Sequence, residues 1–188
     1  MDELVLARHG ESETSARAIV GGDEPLTERG RQQARALGAK LSSFPLEVCL
    51  TSAALRARET AELALHARDV PVEVVPELGD IRFGAFDGSP LAEYRHWVAA
   101  HPPTAAPPGG ESRVETLRRF AHAFRSILAR PEECVLVVAH GLTIRAALDR
   151  QPRPVVAGAH YAHAERLTRA TFEQAVRRLE RWCESPAW

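Results

Sequence analysis

At 188 residues the chain is long enough for one well-buried domain, and its 24 basic and 25 acidic side chains leave a formal net charge of −1, without the cationic excess that holds nucleic acid. No stretch reaches the roughly 18 consecutive apolar residues of a membrane span, and Met1-Asp2-Glu3 is acidic and runs straight into an apolar segment, unlike a signal peptide. Cys49, Cys134 and Cys183, an odd number at wide spacing, form neither a disulfide framework nor a metal cluster, so a reduced, cytoplasmic protein with no metal and no cofactor is expected.

Leu4-Val5-Leu6-Ala7 reads as a buried parallel strand, and it runs into Arg8-His9-Gly10. Residues 11 to 26 read as a polar, Gly-containing loop. Thr27 is an N-cap for a helix from Glu28 to about Leu41, with Ala34, Leu37, Gly38 and Leu41 as its apolar stripe. Leu46 to Leu50 predicts a second strand, followed by a helix from about Ala53 to His66. Val70 to Val75 predicts a third strand, and Pro71 and Pro76 suit it to an edge of the sheet.

Residues 91 to 100 predict a short helix and residues 101 to 110 a Pro/Gly-rich loop, and together residues 81 to 110 read as a cap over the strand ends. Ser112 and Glu115 form a capping box that opens the clearest helix of the chain, with Leu117, Phe120, Ala121, Phe124, Ile127 and Leu128 on one face. Cys134 to Ala139 is again an apolar strand, and it ends in His140-Gly141 before a helical pattern. In the tail, Phe172, Val176, Leu179 and Cys183 fit a helix by spacing.

Strands alternating with helices at this spacing predict an α/β domain with a mostly parallel central sheet and helices on both faces, a three-layer sandwich. In such sheets functional groups gather at the carboxyl ends of the strands. Two strand ends carry His-Gly here. If those strands are neighbours, His9 and His140 face each other and, with Arg8, make a compact cationic pocket suited to a phosphoryl group.

Four ordered motifs strengthen this reading. ARHGES, GGDEPLTERGRQQA (residues 21 to 34), TSAALRARETAE (residues 51 to 62) and VVAHG (residues 137 to 141) resemble, in order, the signatures of the histidine phosphatases, the superfamily that includes cofactor-dependent phosphoglycerate mutases. The resemblance runs from about residue 4 to about residue 150. It implies late strands around Ala164 to Phe172 and Val176 to Trp182, in place of the helix that spacing alone allows. GAFDG and PGGES look most like the small cytoplasmic phosphatases, such as the alpha-ribazole phosphatases.

The resemblance also implies roles. His9 is the nucleophile that becomes phosphohistidine. His140, protonated, binds an equatorial oxygen and stabilises charge in the transition state. Arg8 and Arg56 clamp the phosphate, Arg56 from the first turns of a helix whose dipole also favours an anion. Asp80 stands where the family usually has Glu and is the expected acid, with Asp87 and Glu77 as alternatives. Ser15 stands where Asn is usual and offers one donor instead of two. Gly141 and Thr27 complete the expected phosphate-binding set, Thr27 from the loop with Asp23 and Leu26. His163 and His101 are further histidines that could face the pocket mouth.

The expected partner is a small-molecule phosphate ester, with no nucleic acid and no membrane. The expected reaction is metal-independent phosphomonoester hydrolysis. Mutase-type phosphotransfer and a catalytically weak phospho-ligand-binding regulator are the alternatives.

Overall fold

The sheet strands are apolar on both sides because helices cover both sides. Leu4, Leu6, Val48, Leu50, Val135 and Val137 point into one buried cluster, while Val5, Ala7, Cys49, Leu136 and Val138 point into another. That period-2 division is what a sheet between two helical layers requires. The computed structural model describes residues 1–148, 153 and 160–188.

In chain order the strands are β1 (Glu3–Arg8), β2 (Val48–Thr51), β3 (Val72–Val74), β4 (Cys134–Ala139) and β5 (Ala164–Thr168). The helices are α1 (Glu13–Ala16), α2 (Glu28–Leu41), α3 (Leu55–Leu65), α4 (Leu91–Ala100), α5 (Arg113–Leu128), α6 (Gly141–Ala147) and α7 (Arg169–Glu184). The sheet order is β3-β2-β4-β1-β5. All pairs are parallel except β1 with β5. α2 and α3 pack on one face through Leu37, Leu41, Ala57 and Ala61. α5, α6 and α7 pack on the other through Phe120, Phe124, Ile144, Phe172 and Val176. Each fully buried Leu or Phe of this kind contributes roughly 1.5–3 kcal/mol relative to exposure.

Two local devices aim the chain after β1. The backbone of Gly10 and that of Gly30 approach so closely that a Cβ on Gly10 would stand 2.6 Å from the Gly30 carbonyl oxygen, and one on Gly30 would stand 2.0 Å from that of Glu11. The loop after β1 therefore lies directly on the start of α2, which Thr27 caps by accepting from the Gly30 N–H. The stretch expected as plain loop holds the short helix α1, because Ser12 and Ser15 cap each other's backbone as a capping box.

The tail departs from the family-based expectation. Residues 164 to 168 form a strand, antiparallel to β1, but the second expected strand, Val176 to Trp182, is part of α7. Thr168 accepts from the Thr171 N–H and starts the helix. Phe172, Val176 and Leu179 then share one buried stripe, with Phe172 set edge-on to Phe124 of α5 at 5.2 Å between ring centroids. A period of 3.6, not 2, buries this set against a helix.

Residues 81 to 110 carry α4 and a small apolar cluster of their own. Ile81, Phe83, Tyr94 and Val98 pack with Val20 of the loop after α1. β3 lies at the sheet edge with Val72 and Val74 exposed, as the flanking prolines predict. Among the described residues no helix is long and apolar enough to cross a membrane, and the three cysteines are free and buried.

Candidate active site

β1 and β4 are adjacent and in register, Arg8 opposite Ala139, so the residues that follow each strand emerge side by side. His9 and His140 stand edge to face, ring centroids 5.2 Å apart. Both are buried, His9 3% and His140 0% exposed, which leaves them almost no contact with solvent. They adjoin a pocket of about 160 Å³ lined by Arg8, His9, Arg56 and Asp80 at its polar end. Ala18, Ile19, Val20, Phe83, Leu91 and Tyr161 line the rest of it, together with Ser12, Thr14, Ser15 and Gly21.

Hydrogen bonds assign the ring protons. His9 Nδ1 lies 2.7 Å from the Gly10 carbonyl oxygen, an atom that only accepts. Nδ1 therefore carries the proton and Nε2 keeps its lone pair. For His140, Arg56 Nη2 lies 3.4 Å from Nδ1 and can only donate, while Ser52 Oγ lies 2.8 Å from Nε2. The proton of His140 thus sits on Nε2 and goes to Ser52.

Burial, then the electrostatic influence of His140 were it protonated, and of Arg56 and Arg8, push the His9 imidazole well below its ordinary range, against the bond to Gly10. Burial, then Arg56, Arg8 and Arg119, do the same for His140. The expected protonated His140 is the state in which it binds a phosphate oxygen, and that state needs the anion's charge to offset this shift. Burial of the ring and two nearby guanidiniums favour its neutral form. A bound phosphate would oppose that field and favour the cation.

Arg56 is buried, and its Nη1 donates to the Gly22 carbonyl at 3.0 Å, which aims the guanidinium across the pocket. Its helix begins one residue earlier, where the Leu55 N–H donates to Asp23 Oδ1 at 2.6 Å. The Gly10 N–H donates to Thr60 Oγ1 on the same helix, tying α3 to the loop that holds His9. Arg8 lies over the Tyr161 ring, its guanidinium carbon 3.9 Å from the centroid. Asp80 Oδ2 lies 3.8 Å from His140 Nδ1 and 4.0 Å from Arg56 Nη2, while Oδ1 accepts from the Ile81 N–H.

The other expected residues are placed differently. Ser15 lines the pocket, but its hydroxyl donates to the Ser12 carbonyl at 3.0 Å as part of the α1 cap. Thr27 and Gly141 do not line the pocket. The Thr27 hydroxyl is engaged with Glu11 and caps α2, and Gly141 opens α6 directly behind His140. Asp87 and Glu77 are exposed and outside the lining. His101 bonds the Trp97 carbonyl, and His163 faces Glu165 at 3.8 Å. Among the described residues no group of three or more His, Cys, Asp or Glu side chains is placed to hold a metal ion.

Ser52 and Tyr161 are pocket neighbours that sequence reading did not single out. Ser52 sits in TSAALR, where a hydroxyl at a strand end was a visible cue. Tyr161 carried no such cue, because only the pairing of Arg8 with Tyr161 brings it there.

Residues 4–185 match the profile of the histidine phosphatase superfamily (branch 1). A 2,3-bisphosphoglycerate-dependent phosphoglycerate mutase 2 of Gloeobacter violaceus is 38% identical over 162 residues, 77% of this chain and 73% of that protein. An adenosylcobalamin/alpha-ribazole phosphatase of Salmonella typhimurium is 34% identical over 149 residues, 73% of each chain. The solved structure of Bacillus stearothermophilus YhfR superposes with a TM-score of 0.76 at 30% identity, covering 87% of this chain and 89% of that one. The two histidines at adjacent strand ends, the two arginines beside them and the match along nearly the whole sequence make this chain a member of the histidine phosphatase superfamily (branch 1).

Proposed function

We propose that the protein is a metal-independent phosphomonoesterase that hydrolyses a small phosphorylated metabolite through a phosphohistidine on His9. The observation that carries the reading is the His9 ring itself. Its Nδ1–H is held by the Gly10 carbonyl, and the buried ring lines a pocket with Arg8, Arg56 and Asp80. A neutral imidazole beside two guanidiniums is a nucleophile matched to an anionic phosphoryl group.

In the first half-reaction His9 Nε2 bonds to phosphorus as the ester P–O bond breaks. Asp80 gives its proton to the departing oxygen. Arg8, Arg56 and His140 stabilise the negative charge on the equatorial oxygens. In the second, the Asp80 carboxylate takes a proton from water, the water oxygen bonds to phosphorus, and the P–N bond to His9 breaks. Inorganic phosphate leaves and Asp80 is again protonated.

The outer lining favours hydrolysis over mutase transfer. Among the described residues it adds no cation to Arg8 and Arg56, whereas a mutase must hold a substrate carboxylate as well as the phosphate. That a similar protein is a mutase makes the distinction worth testing. The enzyme is incubated with a panel of phosphorylated metabolites, and separately with monophosphoglycerate plus bisphosphoglycerate. Stoichiometric release of inorganic phosphate is expected from at least one panel member. Phosphate exchange between the glycerates without release would refute the proposal.

A further inference from the structure

An ionic cluster built on the buried Glu111 stands behind the pocket and takes no part in the chemistry above. Arg119, on α5, spends every donor it has. Nε and Nη2 reach Glu111 at 3.0 and 2.8 Å. Nη1 donates to the Glu77 and Gly79 carbonyls at 2.7 and 2.8 Å, and Nη2 also donates to the Asp80 carbonyl at 3.0 Å.

Glu111, of PGGES, has a side chain only 3% exposed, so it is nearly withdrawn from water. It also accepts from the Arg82 N–H at 3.1 Å and meets Arg82 Nη1 at 3.0 Å. The Glu111 N–H in turn donates to the Arg82 carbonyl at 2.9 Å. The backbone on both sides of Asp80 is therefore pinned, by Arg119 before it and by Glu111 after it.

Fold stability is a poor explanation for such a pair. Glu111 is buried and Arg119 only partly exposed, so the pair loses hydration that its attraction barely returns, and a packed apolar pair would stabilise the fold as well. An apolar pair could not bond the carbonyl groups of Glu77, Gly79 and Asp80, and that is what fixes a loop's direction. The planar fork of arginine can. We infer that Arg119 and Glu111 are positioning residues for the general acid, holding the 77–82 segment so that the Asp80 carboxyl stays in the pocket at about 4 Å from His140 and Arg56. The inference rests on the reading of Asp80 as the acid.

The test uses Glu111→Gln, which keeps the shape, and Arg119→Lys, which keeps the charge but not the fork. kcat/KM is measured on an alkyl phosphate such as glycerol phosphate, whose leaving oxygen needs a proton, and on 4-nitrophenyl phosphate, whose leaving oxygen does not. Each variant should lose about 10–100-fold on the alkyl ester, the usual effect of loosening a group that orients a reacting one. On the nitrophenyl ester the change should stay below about 3-fold. Combined with Asp80→Asn, neither substitution should cause further loss on the alkyl ester, since both act through one carboxyl.

Equal loss on both esters, or losses that add to that of Asp80→Asn, would overturn the inference. So would loss of folding in both variants, which would assign the cluster to stability alone. Asp80→Asn by itself leaves the cluster intact. If that variant lacks the leaving-group dependence, the acid assignment fails first and the positioning role falls with it.

Discussion

Burying two neutral histidines makes folding stability depend on pH in a window where few other groups respond. The imidazoles of His9 and His140 are held well below their ordinary value of 6.5, chiefly by burial and then by neighbouring charges. Below about pH 6.5 the unfolded chain takes up protons on both rings while the folded protein does not. Unfolding therefore gains, and stability falls as pH falls. Each ring that stays neutral removes about 1.4 kcal/mol per pH unit below that point, so going from about pH 7.5 to about pH 5.5 should cost about 2.7 kcal/mol for the pair.

For a chain of this length that corresponds to a Tm lower by about 5–11 °C. Carboxylates held low by their partners, Glu111 and Glu132 among them, contribute losses only nearer their ordinary value of 4.5 and lie outside the window. Urea unfolding at the two pH values measures the effect in the wild type, His9→Asn, His140→Asn and the double variant. Each single substitution should remove about half of the pH dependence and the double nearly all of it. An unchanged slope in the double variant would refute the argument, because the response would then belong to other groups.

His9→Ala should fold normally at neutral pH yet show no turnover and no acid-labile, base-stable phosphate label; a label that persists would remove His9 as nucleophile. Activity should survive excess chelator, and a loss restored by magnesium or zinc would require a different mechanism. Asp80→Asn should slow alkyl phosphate cleavage by about 10²–10⁴-fold and nitrophenyl phosphate cleavage far less, whereas Asp87→Asn and Glu77→Gln, both outside the pocket, should show no such difference. Gly84 has φ +56°, and a Cβ there would stand 2.3 Å from the Pro108 carbonyl oxygen. Gly84→Ala should cost about 1–3 kcal/mol of stability in urea titration, and no measurable cost would mean that the 84–110 contact is loose.

What could be read in the chain was whatever depends on neighbours in sequence. The apolar runs before His9 and His140, the stripe on α5 and the capping pairs at Thr27 and at Ser112 with Glu115 are local, and each forms as expected. α1 escaped notice because a four-residue helix has no stripe to betray it, only the Ser12 and Ser15 pair. The tail shows the opposite error. Phe172, Val176 and Leu179 already carried helical spacing, and the analogy that outweighed it failed because α5 offers this segment an apolar helix face.

The sequence by itself determined which residues follow the strands, and so which chemistry was available: Arg8, His9 and His140 at strand ends, Arg56 at a helix start and Asp80 in a loop. Only the tertiary structure decided how they meet. The order β2-β4-β1 is a matter of long-range pairing, and it alone sets His9 beside His140 and brings Arg56 within reach of both. Burial pushes both imidazoles below their ordinary range, which no motif encodes, since desolvation is a property of everything packed around a group. In the same way the hydroxyls of Ser15 and Thr27 went to helix caps, Tyr161 reached Arg8 through strand pairing, and Arg119 came to hold the backbone of Asp80 from 39 residues away.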